Sequence, residues 1–294
     1  MSFWSLTCIM NKLERTDRKT IGSFELSASD SSVSMTILGS GTSVGVPMIG
    51  CECPVCTSSN PKNHRMRTGV WVRNGDRGFL IDTSPELRLQ IVRARVKKID
   101  GVLYTHAHAD HVLGMDDLRT FCFRQPEPVP LYCEEIVEHA LRRMFSYAFS
   151  DDDSLHSRPR LRFERIGTDP FSVAGLNVQP IRLIHGRLSI LGYRIGNVAF
   201  CTDVSTIPEE SWPLLQNLDV LVLGAIRHDP HPTHFNVSQA VEVARKLNVR
   251  QTYLTHIAHN LEHEETNASL PEGIALAYDG LTIPISLPHT EVLS

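Results

Sequence analysis

The sequence predicts an α/β fold, and three observations carry that reading. From "MTILGSGTS" onward, short apolar runs of strand length alternate with segments of helical periodicity. No repeat of fixed period is present. Four separate strand-like runs each end in a metal-ligand side chain: His106 after "GVLYT", His185 after "PIRLI", Asp203 after "VAFCT" and His256 after "TYLT". Strand ends on one edge of a sheet are where side chains remote in sequence converge, so this spacing predicts a single site.

Taken in order, residues 1–34 are polar and serine-rich ("GSFELSASDSSVS") without lasting periodicity, which predicts a flexible N-terminal extension and leaves Met35 as an alternative start. "GVWVRNGDRGFLID" reads as two strands around an Asn-Gly-Asp turn, and "PELRLQIVRARV" as a helix with Pro85 in its first turn. Further strands are expected in "IDGVLYT", "VPLYC", "LNVQPIRLI", "LSILGYRI", "NVAFCT", "LDVLVLG", "RQTYLT" and "LTIPISL". Helices are expected in "EEIVEHALRRMFSYAF", "PEESWPLLQN" and "NVSQAVEVARKLN".

Composition narrows the function classes. The 294 residues are 41% apolar, enough for a real core, and 29 basic against 33 acidic residues give a net charge of −4. No overall positive field draws the chain toward long nucleic acid or an anionic membrane, so an anionic substrate must be met by a local site. No run approaches the roughly 20 apolar residues of a membrane helix. The start "MSFWSLTCIMNKLERTDRKT" lacks an apolar signal core, so the expected location is the cytoplasm. Seven cysteines are an odd number; three crowd into "CECPVC", while Cys8, Cys122, Cys133 and Cys201 stand apart. In a reducing compartment that cluster suggests metal before disulfide.

The densest motif is "THAHADHVLG", with His106, His108, Asp110 and His111 inside six positions. Imidazole and carboxylate are ligands for divalent ions such as zinc and manganese. His106 and His108 lie two apart, so in an extended segment they point the same way, while Asp110 and His111 can turn to a neighbouring position. The crowding is better explained by two ions than by one. Desolvating four such groups at a strand end is costly unless something binds them. Isolated histidines, namely His64, His139, His156 and His289, are read as ordinary core or surface residues.

"THAHADH" resembles the signature of the metallo-β-lactamase superfamily, "IDTSP" before it and His185, Asp203 and His256 after it fall in that family's order, and the similarity covers Met35 to about Pro288. The resemblance implies a four-layer αββα sandwich over residues 35–294. It implies that His106, His108 and His185 hold one divalent cation, that Asp110, His111 and His256 hold a second, and that Asp203 bridges them. Asp203 in "CTD", where many lactamases carry cysteine, resembles the phosphodiesterase branch, and Asp82 matches a buried aspartate that supports the histidine loop.

"CECPVC" supplies Cys51, Cys53 and Cys56 in a loop spanning 50–64, three thiolates that fit tetrahedral zinc if a fourth ligand arrives. His64 is nearest in sequence, but His259, three residues beyond His256, is the better candidate because it ties this loop to the rim of the site. The pairing resembles the PhnP type of cyclic phosphodiesterase, which shares a structural zinc in this way and implies a homodimer.

Two ions about 3.5–4 Å apart, bridged by carboxylate and water, would lower that water's pKa and hold a hydroxide in line with phosphorus. The expected function is therefore dinuclear metal-dependent hydrolysis, with manganese or zinc, of a small cyclic or nucleotide-like phosphodiester. Asp110 and His234 are the expected catalytic residues. The family resemblance favours His234 in "HDPHPTHFN" as general acid, with His231 competing and His228 nearby. Arg119 is either a phosphate grip or an exposed helix charge. "LGSGTSVGVP" lacks a P-loop lysine and reads as a glycine-rich turn near the site. A tRNA 3′-processing-type nuclease is an alternative, disfavoured by the missing basic arm. A glyoxalase II-like thioester hydrolase is disfavoured by the cysteine loop, and a non-catalytic metal-holding module by the complete ligand set.

Overall fold

The computed structural model describes residues 33–150 and 158–287. Val33 and Ser34 already belong to the first strand; the rest of the expected extension, with Cys8, His156 and His289, lies outside the described residues. The first half of the chain runs β1 (Val33–Gly39), β2 (Gly69–Asn74), β3 (Arg77–Ile81), α1 (Leu87–Ala94), β4 (Val102–Leu103), α2 (Ala109–Val112), α3 (Arg119–Cys122), β5 (Val129–Cys133), α4 (Glu135–Met144) and β6 (Leu161–Arg165). The second half runs β7 (Phe171–Val173), β8 (Leu176–His185), β9 (Leu188–Ile195), β10 (Val198–Cys201), β11 (Val220–Gly224), α5 (Val237–Leu247), β12 (Gln251–Thr255), α6 (His263–Ser269), β13 (Ile274–Leu276) and β14 (Thr282–Pro284).

Two seven-stranded sheets result, ordered β14-β1-β2-β3-β4-β5-β6 and β13-β12-β11-β10-β9-β8-β7. In each, an antiparallel stretch passes into a parallel one, at β3/β4 in the first and β10/β11 in the second. The parallel strands need crossover connections, and these bring helices onto the outer faces. Phe79 and Ile81 of β3 face Leu191, Tyr193, Phe200 and Val222 of the other sheet in one dry layer. Leu80, between them, points outward with Val102 and Leu131 against Leu87 of α1 and Leu141 of α4. On the far side Leu221, Leu223 and Leu254 pack under Val237, Ala240 and Leu247 of α5. The layers are thus helix, sheet, sheet, helix, as the resemblance implied.

Local chemistry sets the boundaries. Asn236 caps α5 in a capping box with Gln239, and Asn248 ends it in the left-handed conformation. Pro85 precedes the α1 cap, Glu86, and so stands just outside the helix rather than in its first turn. "PEESWPLLQN" forms a 3-10 helix over Glu209–Leu215 instead of an α-helix, because Pro213 inside it lacks the N–H that an α-helical turn requires. The pattern also missed β6, whose charged residues mask its period, the three-residue strands β7 and β13, and α6, which is capped by the side chain of Glu262.

Candidate functional site

The predicted ligands do gather at strand ends. His185 is the last residue of β8, His256 follows β12 directly, Asp203 stands two residues beyond β10, and His106 three beyond β4. Three of the turns use a backbone that side chains rarely adopt: Asp82, Asp203 and His256 have φ of 62°, 53° and 58°. Such strain costs about 1–3 kcal/mol each and clusters at functional sites; here it accompanies Asp203 and His256 among the donor groups and Asp82 behind them, against Thr105 and His111.

Two donor groups form. His106, His108 and His185 bring their ligand atoms within 4.8 Å of one another, and Asp110, His111, Asp203 and His256 do the same. Asp203 stands between them. Its Oδ1 lies 3.3 Å from His111 Nε2 and 3.3 Å from His256 Nδ1, while Oδ2 faces His106 Nε2 at 4.0 Å. His106 Nε2 and His108 Nδ1 approach to 3.0 Å, two imidazole nitrogens aimed at one spot.

A supporting shell fixes which nitrogen each ring offers. Thr105 Oγ1 donates to Asp82 Oδ2 (2.9 Å) and so accepts from His106 Nδ1 (3.0 Å). Asp82 Oδ2 also takes the Nδ1 proton of His111 at 2.7 Å, and Asp82 Oδ1 accepts from Thr105 N at 2.9 Å. His185 Nδ1 donates to the Thr233 carbonyl at 2.7 Å. Thr68 Oγ1, donating to Gly41 O, accepts from His256 Nδ1 at 3.0 Å. In all four rings Nδ1 faces an oxygen of this shell, which leaves Nε2 as the nitrogen available to a cation.

The residues fit divalent cations on a direct observation. Asp110 Oδ2 and His111 Nε2 are buried 3.2 Å apart, and neither makes a hydrogen bond. Each orphan costs about 1–3 kcal/mol, a cost that a cation between the groups removes. The nitrogen and oxygen donors suit zinc or manganese. Charge within the cluster is strongly partitioned. Burial opposes ionisation of Asp203, but His256 and His111 outweigh it and hold the carboxyl well below the usual range. Burial likewise opposes charge on His111, and Asp203, Asp82 and Asp110 overcome it. His106 goes the other way: burial, then the charge of His111, keeps it neutral.

The cysteine loop closes on the same rim. Cys51 Sγ and Cys53 Sγ lie 3.3 and 3.4 Å from His259 Nδ1, and Cys56 completes a four-ligand group. The Cys56 backbone N–H, then His259, lowers the Cys53 thiol to about 6, whereas burial raises Cys56 to about 11. A tetrahedral zinc suits this set and would take both as thiolates. His64 is engaged elsewhere, its Nε2 2.8 Å from Ser58 O.

Around the pocket, His234 is 9% exposed, its ring 4.5 Å from that of His185 and 4.9 Å from those of His231 and His256. Burial, reinforced by His256, lowers His234 to about 3. It also groups with His185 and Asp203 within ligand distance, a second role that spacing alone did not suggest. His228 is exposed. Arg119 is held by the carboxylate of Asp116, which also accepts from Tyr147, so the guanidinium is committed within its own helical turn. Gly41 bridges to Ile257, so the glycine-rich turn does border the site. Sequence reasoning missed Thr68, Thr105 and Thr233 O; of these only Thr105, beside His106, carried a local signal.

A family model of the beta-lactamase superfamily domain matches residues 77–257. A crystal structure described as a new diphosphatase from the PhnP family aligns with a TM-score of 0.82 at 44% identity, covering 87% of this chain and 98% of that one. The octanoyltransferase of Porphyromonas gingivalis is 38% identical over 249 residues, 83% of this chain and 50% of that protein, so the chain spans half the length of that curated relative. Zinc-bound PqqB from Methylobacterium extorquens shares the fold at 20% identity with a TM-score of 0.68, covering 85% of this chain and 99% of that one. With its two-sheet sandwich and paired donor groups, the chain belongs to the metallo-β-lactamase superfamily, in its PhnP branch.

Proposed function

We propose that this protein is a dinuclear metal-dependent phosphodiesterase acting on a small cyclic or nucleotide-like substrate. The coarser statement, a metal-dependent hydrolase, rests on family membership and the candidate ligand clusters. The observation that carries the finer reading is Asp203 set between two donor groups, with one carboxylate oxygen toward each. Two divalent cations, when bound, neutralise phosphate oxygens and make a shared water more acidic. His106, His108 and His185 would hold one and Asp110, His111 and His256 the other, with zinc at Cys51, Cys53, Cys56 and His259.

The chain's own groups do the rest. Asp110 Oδ2, buried without a hydrogen bond beside His111, would face the second cation, and the other oxygen of this carboxylate would orient an attacking water. His234 faces the pocket between His185 and His256 and is the group placed to protonate a departing alkoxide. Neutral in the free protein, it becomes an acid when a bound phosphate anion raises its pKa. A small anionic substrate and no long nucleic acid suit the net charge of −4. Among the described residues no helix is long and apolar enough to cross a membrane. Homodimerisation belongs to the same proposal and is read by sedimentation.

The description of the 44% identical relative as a diphosphatase favours one second reading, cleavage of a phosphoanhydride. The two differ in the leaving group, since phosphate departs with less need of an acid than an alkoxide does. Bis(p-nitrophenyl) phosphate, a cyclic ribose phosphate, a dinucleoside diphosphate and an acyl-glutathione thioester are assayed together on zinc- and manganese-reconstituted protein. Turnover of the cyclic ester supports the proposal, and turnover confined to the diphosphate favours the second reading. Hydrolysis of the thioester alone overturns both.

A further inference from the structure

The first sheet carries a second concavity, at the β2–β3 hairpin, the end of β3 remote from Asp82. Here the outer face of β14, β1 and β2 is flanked by the C-terminal end of α1, leaving a cleft of about 490 Å³ lined by Gly75, Arg77, Gly280 and Thr282. That volume is within the roughly 300–1,000 Å³ of small-molecule sites. Leu38 and Trp71 line it, both belonging to the apolar cluster beneath α1.

Its rim is strongly basic. Arg73, Arg77, Arg93, Arg95, Lys97 and Lys98 line it against one acid, Asp76, in a chain whose net charge is −4. The negative end of the α1 dipole, worth about half a charge, is too small to cancel that excess. Some of these cations are partly occupied: Arg77 and Lys98 reach Asp100 at 3.3 and 3.9 Å, and Arg93 reaches Asp279 at 3.9 Å. Arg95 and Lys97 are exposed and make no ion pair among the described residues. A second basic cleft, near Arg142 and Arg165, differs in this respect, because Glu135 and Glu138 already hold those guanidinium groups.

We infer that the Trp71 cleft binds a nucleotide, with the base against Trp71 and the phosphate on Arg95 and Lys97. An indole offers a sequence-tolerant platform for any base, and paired cations at the rim supply the charge-assisted hydrogen bonds a phosphate takes. Because the cleft shares no residue with the metal centre, the inference stands independently of the catalytic reading.

The test titrates AMP into the metal-loaded full chain by calorimetry, beside R95E/K97E and Trp71→Leu. Both charge reversals are at exposed positions, so folding is spared. The expected result is a saturable site whose Kd rises at least about tenfold in R95E/K97E and also rises in Trp71→Leu, with turnover of bis(p-nitrophenyl) phosphate unchanged. Equal affinity in all three proteins would place AMP at the metals alone and overturn the inference. So would inorganic phosphate competing as well as AMP, which marks a plain anion patch. Tighter binding of polyglutamate than of AMP reassigns the cleft to an acidic protein partner.

Discussion

Asp82 touches no predicted substrate, yet it settles how two of the site histidines present themselves. Fully buried, it accepts from Thr105 N, Thr105 Oγ1 and His111 Nδ1. Burial raises its carboxyl even against the opposing charge of His111, so it is stable as an anion only while those donors stay in place. Asp82→Asn turns one acceptor into a donor facing donors. It is expected to weaken binding at the second cation position about 10–100-fold and to cost roughly 1–3 kcal/mol of stability, read by metal analysis after dialysis and by urea unfolding. His234 poses a different question, since it is placed both to protonate a leaving group and to ligate with His185 and Asp203. If it is the acid, His234→Ala keeps its metals and loses about 10²–10⁴-fold on alkyl esters, with a smaller loss on aryl esters. Loss of a metal equivalent instead assigns it as a ligand, and alkyl ester turnover at the wild-type rate removes it from catalysis.

The cysteine loop gains its order from contacts made far along the chain. Arg65, 1% exposed, donates to Ala258 O at 3.0 Å and Leu261 O at 2.7 Å, on either side of His259. Burial lowers its pKa to about 10, which still leaves it charged at neutral pH. The thiol contacts to His259 and the Arg65 guanidinium thus fasten one loop to the segment that also carries His256. Cys53→Ser is expected to lose one zinc per chain and several degrees of Tm while the paired ions are retained, checked by metal analysis and calorimetry. A second clip joins the end of β1 to the start of β2: Asp279 accepts from Ser40 N and Oγ through Oδ1 and from Met66 N through Oδ2. Burial raises this acid to about 6 from an ordinary value of 3.8. A folded-state pKa above the unfolded one means the folded chain holds the proton more tightly, so this contribution is full below about pH 4 and is lost as pH rises to about 6. Two units correspond to about 3 kcal/mol. Asp279→Asn is expected to flatten that part of the stability profile, measured by urea unfolding from pH 4 to 7, and to lower stability overall because its amide faces Met66 N.

At the scale of the molecule, each donor group draws on both sheets: β4 and β8 meet in one, β10 and β12 join the loop after β4 in the other. Cations bound there would cross-link the halves and stabilise only the folded chain. Chelation should abolish hydrolysis and lower Tm, and adding back metal at 100 times its Kd should restore about 2.7 kcal/mol, seen as a Tm that rises with metal concentration. Much of this was legible in the chain. β5 and β8 lie where alternating apolar residues put them, because a strand's period is local, and β6 was hidden because the charged residues of "LRFER" break that period. The donor side chains that cluster were legible too, since donor chemistry belongs to the side chain. What only the tertiary structure decided is which nitrogen each histidine offers and how the donors divide around Asp203. Those depend on Thr68, Thr233 and Asp82, brought into contact by strand pairing across 188, 48 and 29 residues of sequence, and no local pattern encodes such distances.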